Sequence, residues 1–384
     1  MISGNQILIE RIIQKINSEG AIPFKDFMEM SLYDPMDGYY VSPREKIGTK
    51  GDFYTSPEVH PSFAKMLSRQ FAEMAEIILK ESSHFDLVEA GPGNGILALE
   101  LLKTLKTESG GVFDRLNYFM LESSPALILR QKELFNPFPE LKSKISWVTS
   151  LNELPVIHGT FFSNEVFDAF PVHRVVWKEG LSEIFVDYKD GQFIEVPKPI
   201  SDPALEHYFK IFPVNWIEDQ EGEVNINSIN WMKEAARKLN RGFVVTIDYG
   251  DLYEELYSIK RKKGTFLCYQ NHKTNCNPYE SIGEQDMTSH INFSALQVVG
   301  IEEDLRPLGF LEQSHFLIGL GMIEEIDRYV QTLEDPTRDL IFRAMKHLIH
   351  PEGLGPIYKV LIQQKRIGEI RLEGLKFARG CFQK

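Results

Sequence analysis

The stretch that decides the fold is Glu89-Ala90-Gly91-Pro92-Gly93-Asn94-Gly95, which follows the apolar run Phe85-Asp86-Leu87-Val88. This pattern predicts a short buried strand, a glycine-rich turn, and a helix that begins with Ile96-Leu97-Ala98-Leu99. Glycine at these positions lets the backbone approach a ligand where a Cβ atom would collide. The alternative is that the glycines only turn a strand into a helix.

The chemistry around the turn favours one kind of cofactor. A dinucleotide-binding fingerprint would place another glycine where this chain has Ile96. The Glu89 carboxylate would also repel a pyrophosphate, whereas it suits a ligand that carries an amino group and no phosphate. S-adenosyl-L-methionine (SAM) has these properties. The predicted cofactor-binding residues of this segment are Glu89, Gly91, Pro92, Gly93 and Gly95.

Strand and helix patterns alternate after the turn, which predicts a parallel sheet with right-handed crossovers. The predicted strands span 85–90, 117–122, 145–148 and 160–164, and the predicted helices span 95–107, 124–135 and 150–154. Ligands bind such sheets at the carboxyl ends of the strands. Glu122 is placed to accept hydrogen bonds from the ribose hydroxyls, and Ser123 and Ser150 complete this part of the predicted cofactor site.

The remainder of the chain suggests additions around this core. Residues 1–80 form a mostly helical N-terminal cap, and residues 81–384 form the core, with an insertion at about 172–240 that begins as a β-hairpin. Strands near 312–318 and at 357–364 and a helix over about 322–347 are expected later. The fold class is α/β, with a Rossmann-like core, a helical N-terminal region and a β-hairpin/helical insertion.

The fourth strand end is the candidate acceptor site. Asn164 and Glu165 follow a very apolar strand, and Asp168 lies one turn further on. Carboxylates can hold a guanidinium group bidentately, so Glu165 and Asp168 suit a basic acceptor while Asn164 orients it. The alternative is that Asn164 and Asp168 cap a helix. His290 is a substrate-binding candidate whose alternative role is structural.

Composition excludes several classes of function. The 384-residue chain has a net charge of −13, which argues against tracking a nucleic-acid backbone. Its three cysteines favour a reducing compartment, and neither cysteines nor histidines have metal-ligand spacing, so no metal site is predicted. No apolar run is long enough to cross a membrane and the N-terminus lacks a secretory signal pattern, so a cytoplasmic protein is expected.

Several motifs together resemble the MidA-like family of class I SAM-dependent methyltransferases. The matching segments run in order over most of the chain: residues 51–58 (GDFYTSPE), 89–95 (EAGPGNG), 121–125 (LESSP), 163–172 (SNEVFDAFPV) and 286–293 (DMTSHINF). The resemblance implies that SAM binds around the glycine turn and Glu122, and that Thr55, Ser56 and Glu58 border the active site. From the residues alone, Ser56-Pro57-Glu58 is a helix-capping arrangement or part of a lid over the cofactor.

The same resemblance implies a protein substrate. Family members include a mitochondrial protein arginine methyltransferase required for respiratory complex I assembly, so methylation of an arginine on a complex I subunit is the expected reaction. Two alternatives stay open: a SAM-dependent methyltransferase of another acceptor, and a non-catalytic SAM-binding assembly factor. The exposed hairpin layer at 172–188 would suit either a substrate protein or a homodimer contact.

Overall fold

A computed structural model describes residues 2–41, 59–332 and 337–378. The chain divides into two compact units built from interleaved segments, and each is described by itself. The first unit comprises Met1–Phe53, Phe167–Trp231 and Gly250–Leu296. The second unit comprises Tyr54–Val166, Met232–Tyr249 and Gln297–Lys384. Three elements continue from one unit into the other: helices α9 (Ile226–Lys238) and α11 (Phe293–Glu302) and strand β10 (Leu239–Asp251).

The second unit contains the predicted glycine turn and a layered α/β core. Its helices are α3 (Ser62–Ile78), α4 (Ile96–Glu108), α5 (Gly110–Asp114), α6 (Pro125–Leu134), α7 (Pro139–Lys142), α12 (Gln313–Gly319), α13 (Met322–Thr332) and α14 (Thr337–His347). Its strands are β2 (Phe85–Ala90), β3 (Leu116–Leu121), β4 (Ile145–Val148), β5 (Ile157–Asn164), β15 (Arg306–Glu312) and β16 (Tyr358–Lys365). Short 3-10 turns occur at Leu151–Glu153 and Glu373–Leu375.

The main sheet has the strand order β15-β16-β10-β5-β2-β3-β4. Strands β10, β5, β2, β3 and β4 pair in parallel, whereas β16 pairs antiparallel with both β10 and β15. Every residue of β2 is buried, as expected for a central strand covered on both faces. Strand β3, one position from the edge, alternates between buried and more exposed residues. The sheet confirms the predicted parallel core closed by late antiparallel strands.

Helix α3 supplies one apolar layer for this sheet. Phe63, Met66, Leu67, Phe71 and Met74 recur at helical spacing and are fully buried in the core of the second unit. The Phe71 ring lies 4.8 Å from the ring of a phenylalanine in β5, centroid to centroid. These residues therefore form the face of the helix that packs on the sheet.

The first unit combines short helices with a separate antiparallel sheet of order β1-β7-β6-β9, to which β8 adds beside β7. Its helices are α1 (Gln6–Glu19), α2 (Phe24–Tyr33), α8 (Pro203–Ile211) and α10 (Tyr253–Leu256), with a 3-10 turn at Ile259–Arg261. Its strands are β1 (Ile22–Pro23), β6 (His173–Trp177), β7 (Leu181–Lys189), β8 (Gln192–Lys198), β9 (Glu221–Val224), β11 (Leu267–Gln270), β12 (Lys273–Asn275), β13 (Asp286–Thr288) and β14 (Ile291–Asn292).

Two of the later sequence predictions differ from the structure. The strand expected near 312–318 lies at Arg306–Glu312, and the following Gln313–Gly319 is helical, with Phe316 and Leu317 buried. The single helix expected over 322–347 is two helices, Met322–Thr332 and Thr337–His347. Apolar runs of this length do not by themselves distinguish a buried helix from a buried strand. The predicted domain boundaries stay predictions.

Candidate functional site

The glycine turn joins β2 to α4 through left-handed backbone at three positions. The φ angle is +60° at Gly91, +53° at Gly93 and +82° at Gly95. A Cβ atom on Gly91 would lie 2.9 Å from Cγ2 of Val166, a distance that real Cβ contacts do not show. Pro92 is buried within the turn. The turn therefore needs glycine for its conformation and, at Gly91, for space as well.

Glu89 lies near the carboxyl end of β2 with only 2% of its surface exposed. The Tyr118 hydroxyl of the neighbouring strand β3 donates a hydrogen bond to Oε2 of Glu89 at 2.7 Å. Burial raises the pKa of Glu89 to about 8, the Tyr118 hydrogen bond opposes this shift, and the charge of Glu122 adds to it. A ligand amino group beside Glu89 would favour the ionised carboxylate.

Glu122 follows β3 directly, and its backbone N–H donates to the Val148 carbonyl at 3.0 Å. Its Oε1 accepts a hydrogen bond from the Ser124 backbone N–H at 2.8 Å. Burial raises the pKa of Glu122 to about 7, and hydrogen bonds from Ser124, Ser123 and Gln131 oppose this shift. A ribose diol would donate two further hydrogen bonds to the ionised carboxylate, so binding is expected to favour proton release near neutral pH.

Gln131 is a buried contact of the glycine turn that the sequence analysis missed. Its side chain is fully buried on α6, its Nε2 donates to the Gly93 carbonyl at 2.8 Å, and its Oε1 accepts from Trp147 Nε1 at 3.1 Å. These contacts join the turn to the end of β4, and the same side chain lowers the pKa of Glu122, which follows β3. The sequence of α6 carries no signal for this role, because a glutamine in a helix is ordinarily exposed and the apolar Leu129 of the same helix lies outside.

Ser150 and Ser123 occupy the loops after β4 and β3. Ser150 precedes the 3-10 turn Leu151–Glu153, and its side chain hydrogen-bonds with Glu153, which also accepts from Thr149. Ser123 is exposed and its backbone hydrogen-bonds with Glu122. Both serines lie at the predicted edge of the sheet, and their contacts with a cofactor stay predictions.

Glu165 follows β5 and is held by hydroxyl groups from two other strands. The Tyr358 hydroxyl donates to Oε2 of Glu165 at 2.5 Å, and the Tyr249 hydroxyl lies 2.5 Å from that of Tyr358. Because a phenol has one proton, Tyr358 donates to Glu165 while Tyr249 donates to Tyr358. Asn164 Nδ2 donates to Oε1 of Glu165 at 3.0 Å. Both tyrosines were missed by the sequence analysis.

The backbone at this strand end is constrained as well. Glu165 has a φ angle of +54°, in the left-handed region, and its N–H donates to the Ile247 carbonyl at 2.9 Å. The next N–H, of Val166, donates to Oδ2 of Asp248 at 3.2 Å. Oδ1 of Asn164 is buried and has no hydrogen-bond partner in the described part of the chain. A ligand N–H group would satisfy this acceptor.

Asp168 and His290 belong to the first unit. Asp168 is buried, which raises its pKa to about 7, while the Ala169 backbone N–H donates to its Oδ1 at 2.9 Å and opposes that shift. Nδ1 of His290 lies 2.8 Å from a guanidinium nitrogen of Arg261, and its backbone N–H donates to Oγ1 of Thr265 at 3.0 Å. The substrate-binding roles of Asp168 and His290 stay predictions.

Three of the predicted cofactor contacts, Thr55, Ser56 and Glu58, lie outside the described residues.

The sequence analysis predicts neither a metal site nor a membrane-spanning helix. Within residues 2–41, 59–332 and 337–378, no three His, Cys, Asp or Glu side chains come together in a way that could hold a metal ion. No helix in those ranges has the length and apolar character needed to cross a bilayer. The expected cytoplasmic location stays a prediction.

The parallel sheet, the glycine turn and the buried carboxylates at the strand ends define the class I SAM-dependent methyltransferase fold. A protein-family model described as "Putative S-adenosyl-L-methionine-dependent methyltransferase" matches residues 66–311, which is well over half of the chain. The chain therefore belongs to this methyltransferase family. The predicted fold and family are confirmed.

Comparisons with solved structures and curated proteins agree with this assignment. A crystal structure of a Burkholderia thailandensis protein bound to S-adenosyl-homocysteine is 29% identical, with a TM-score of 0.86, and the match covers 97% of this chain and 95% of that one. Human mitochondrial protein arginine methyltransferase NDUFAF7 is 25% identical, with 98% of this chain and 87% of that protein covered. Its Caenorhabditis elegans homolog is 28% identical, with 84% and 78% covered.

These findings confirm the cofactor prediction. The family consists of SAM-dependent methyltransferases, and the bacterial structure holds the demethylated form of the cofactor. The described groups of this chain that suit SAM are the glycine turn, Glu89, Glu122 and Gln131. The turn allows a ligand to approach the backbone closely, and the side chains offer hydrogen-bond acceptors and no cation that would bind a phosphate. SAM supplies the methyl group. The protein aligns the acceptor with that group, excludes water and removes the acceptor's proton.

Proposed function

We propose that this SAM-dependent methyltransferase transfers methyl groups to an arginine side chain of a protein substrate. The observation that supports this most directly is the Glu165 carboxylate at the end of β5, held by Tyr358 and Asn164. A Cβ atom added at Gly91 would touch Val166, so the glycine turn and the segment after Glu165 lie next to each other in the second unit. A cationic acceptor suits this carboxylate.

The reaction assigns a specific task to the residues at this strand end. An acceptor nitrogen forms a bond to the methyl carbon of SAM as the carbon–sulfur bond breaks, which leaves S-adenosyl-homocysteine. The nitrogen must also lose a proton. Glu165 would pair with the guanidinium and take up that proton, while Oδ1 of Asn164 accepts a hydrogen bond from another N–H of the acceptor. Tyr358 keeps the carboxylate in place during this step.

The names of the relatives support the same substrate class. Proteins from human, Drosophila melanogaster and Caenorhabditis elegans that match most of this chain are named mitochondrial protein arginine methyltransferases or homologs of them, at 25–28% identity. A respiratory complex I subunit, as the family resemblance implies, is the first substrate to test. The hairpin layer at 172–188, expected to be exposed, is largely buried: residues 172–176 and 183–186 are inaccessible or nearly so. Only its turn at Lys178 and Glu179 is exposed, so this turn is the candidate contact for such a protein or for a second copy of this chain.

The test is methylation with SAM labelled in its methyl group. The purified protein is incubated with candidate complex I subunits, and the labelled product is hydrolysed to amino acids and separated by chromatography. We expect labelled methylarginine with the wild type and a loss of about 100-fold or more with Glu165→Gln, which keeps the side-chain shape but cannot take up a proton. SAM binding by both proteins, measured by calorimetry, is the matched control.

The alternative functions give different results in the same experiment. Label found only on lysine or on a small molecule would contradict arginine methylation and identify another acceptor. A non-catalytic SAM-binding assembly factor would bind SAM and a partner protein without labelling either, and Glu165→Gln would then leave its cellular function intact.

A further inference from the structure

Helix α6 places a glutamine where an apolar side chain would ordinarily be buried. Gln131 is buried in this helix and is completely inaccessible to solvent, whereas Leu129 of the same helix is 59% exposed. Burying an amide is unfavourable unless its hydrogen bonds are satisfied. The contacts that Gln131 makes therefore decide why the helix presents it inward.

The Gln131 amide hydrogen-bonds with two groups near the carboxyl edge of the sheet. Nε2 donates to the Gly93 carbonyl at 2.8 Å, and Oε1 accepts from Trp147 Nε1 at 3.1 Å. Its Cγ lies so near the turn that a Cβ atom on Gly95 would be 3.2 Å away. The same side chain lowers the pKa of Glu122, so it contacts the turn and the end of β4 and interacts with the carboxylate that follows β3.

We propose that Gln131 is a positioning residue for SAM, which holds the glycine turn and the Glu122 carboxylate in the mutual arrangement that the cofactor requires. Trp147 fixes the orientation of the amide, because its indole N–H can only donate and so directs Oε1 toward β4 and Nε2 toward the turn. Gln131 acts through Gly93 and Glu122. The inference depends only on SAM binding, so it stands or falls separately from the identity of the acceptor.

The affinity for SAM should depend on pH through Glu122. Glu122, with a pKa of about 7, is an acceptor at both oxygens for the two ribose hydroxyls only when it is ionised, and the Gln131 side chain lowers this pKa. Removing the amide should therefore move the pH at which affinity is half lost to a higher value. Glu89, with a pKa of about 8, also interacts electrostatically with Glu122, so its titration must be separated from that of Glu122.

The experiment is calorimetric titration of the full chain with SAM between pH 6 and 9. We expect Gln131→Leu to weaken binding at pH 7.5 by about tenfold, the effect of losing one buried hydrogen bond, and to raise the midpoint. Gln70→Leu is the matched control. Gln70 is equally buried and bonds to Glu73 and the Gly374 N–H, so its loss should leave both affinity and midpoint unchanged.

Two further variants keep the proposal open to refutation. Gln131→Glu keeps an acceptor for Trp147 but loses the donor and adds a charge beside Glu122, so it should shift the midpoint at least as far, and it carries the test if Gln131→Leu does not fold. In a Glu122→Gln background, Gln131→Leu should no longer shift the midpoint. A shift that persists there, or folded Gln131 variants that bind SAM with wild-type affinity and midpoint, would overturn the proposal.

Discussion

The hydroxyl of Tyr358 is predicted to contribute about 2 kcal/mol to the free energy of unfolding and to speed methyl transfer by holding Glu165 in place. Tyr358→Phe removes the donor to Glu165 and the acceptor for Tyr249 while keeping the ring, which is fully buried. A hydrogen bond to a charged group contributes about 1.5–3 kcal/mol. We expect the free energy of unfolding to fall by about 2 kcal/mol, because the freed carboxylate can recover only part of this from water.

The same substitution should separate cofactor binding from methyl transfer. Urea denaturation measures the loss of stability, and calorimetry should show a SAM dissociation constant within about threefold of wild type. The methylation rate should fall at least about tenfold. Tyr118→Phe is the matched control: its hydroxyl binds Glu89 in the same way, so its loss should weaken SAM binding instead. The assignment would be refuted if Tyr358→Phe kept wild-type stability and methylation. It would also be refuted if the variant lost SAM binding as strongly as it lost methylation.

Three further predictions test other parts of the site and its support. Gly91→Ala should lower the free energy of unfolding by about 1–2 kcal/mol and weaken SAM binding because of its +60° φ angle, whereas Gly180→Ala, where an added Cβ meets no atom within 4 Å, should do neither. Because the pKa of Glu89 is raised on folding, this group binds a proton in the folded apo protein at pH values where it is ionised in the unfolded chain, so stability should decline between about pH 4.5 and 8. In urea titrations at several pH values, Glu89→Gln should make that slope shallower by up to about 1.4 kcal/mol per pH unit. Glu325→Gln should cost about 1–2 kcal/mol of stability without altering SAM affinity, because Lys65, Arg69 and Arg328 lose their shared carboxylate but are partly exposed and can be rehydrated.

The sequence was sufficient to predict the parallel core, because the apolar pattern of each segment and the rule that alternating strands and helices form a parallel sheet agree there. Strand β4 spans the predicted residues 145–148, and the helices after the turn and after β3 differ from prediction by one residue at each end. Three glycines in a short turn after a strand indicate left-handed backbone, and the structure has positive φ angles at all three. The prediction near 312–318 was wrong because the half-buried strand Arg306–Glu312 runs directly into the helix Gln313–Gly319, with no break in the sequence between them.

The site was predictable only in its strand-end residues. Glu122 and Glu165 follow predicted strands, so the rule for parallel sheets was enough to place them. Tyr358 approaches Glu165 across 193 residues of sequence, and no local pattern announces such a contact. Gln131 was hidden for a different reason: a polar residue in a helix is ordinarily exposed, and only the packing of α6 shows that this one is buried.

The partners of the buried carboxylates explain how this edge of the sheet can receive a cationic ligand. Glu89 and Glu165 are each held by a tyrosine hydroxyl, and Glu122 by backbone N–H groups and an amide. Elsewhere in the same unit, Glu325 is neutralised by lysine and arginine. Neutral donors fix the geometry of a carboxylate without adding a positive charge beside it. Burial raises the pKa of Glu89 to about 8, so a cationic group such as the amino group of SAM would favour loss of its proton and pair with the ionised carboxylate.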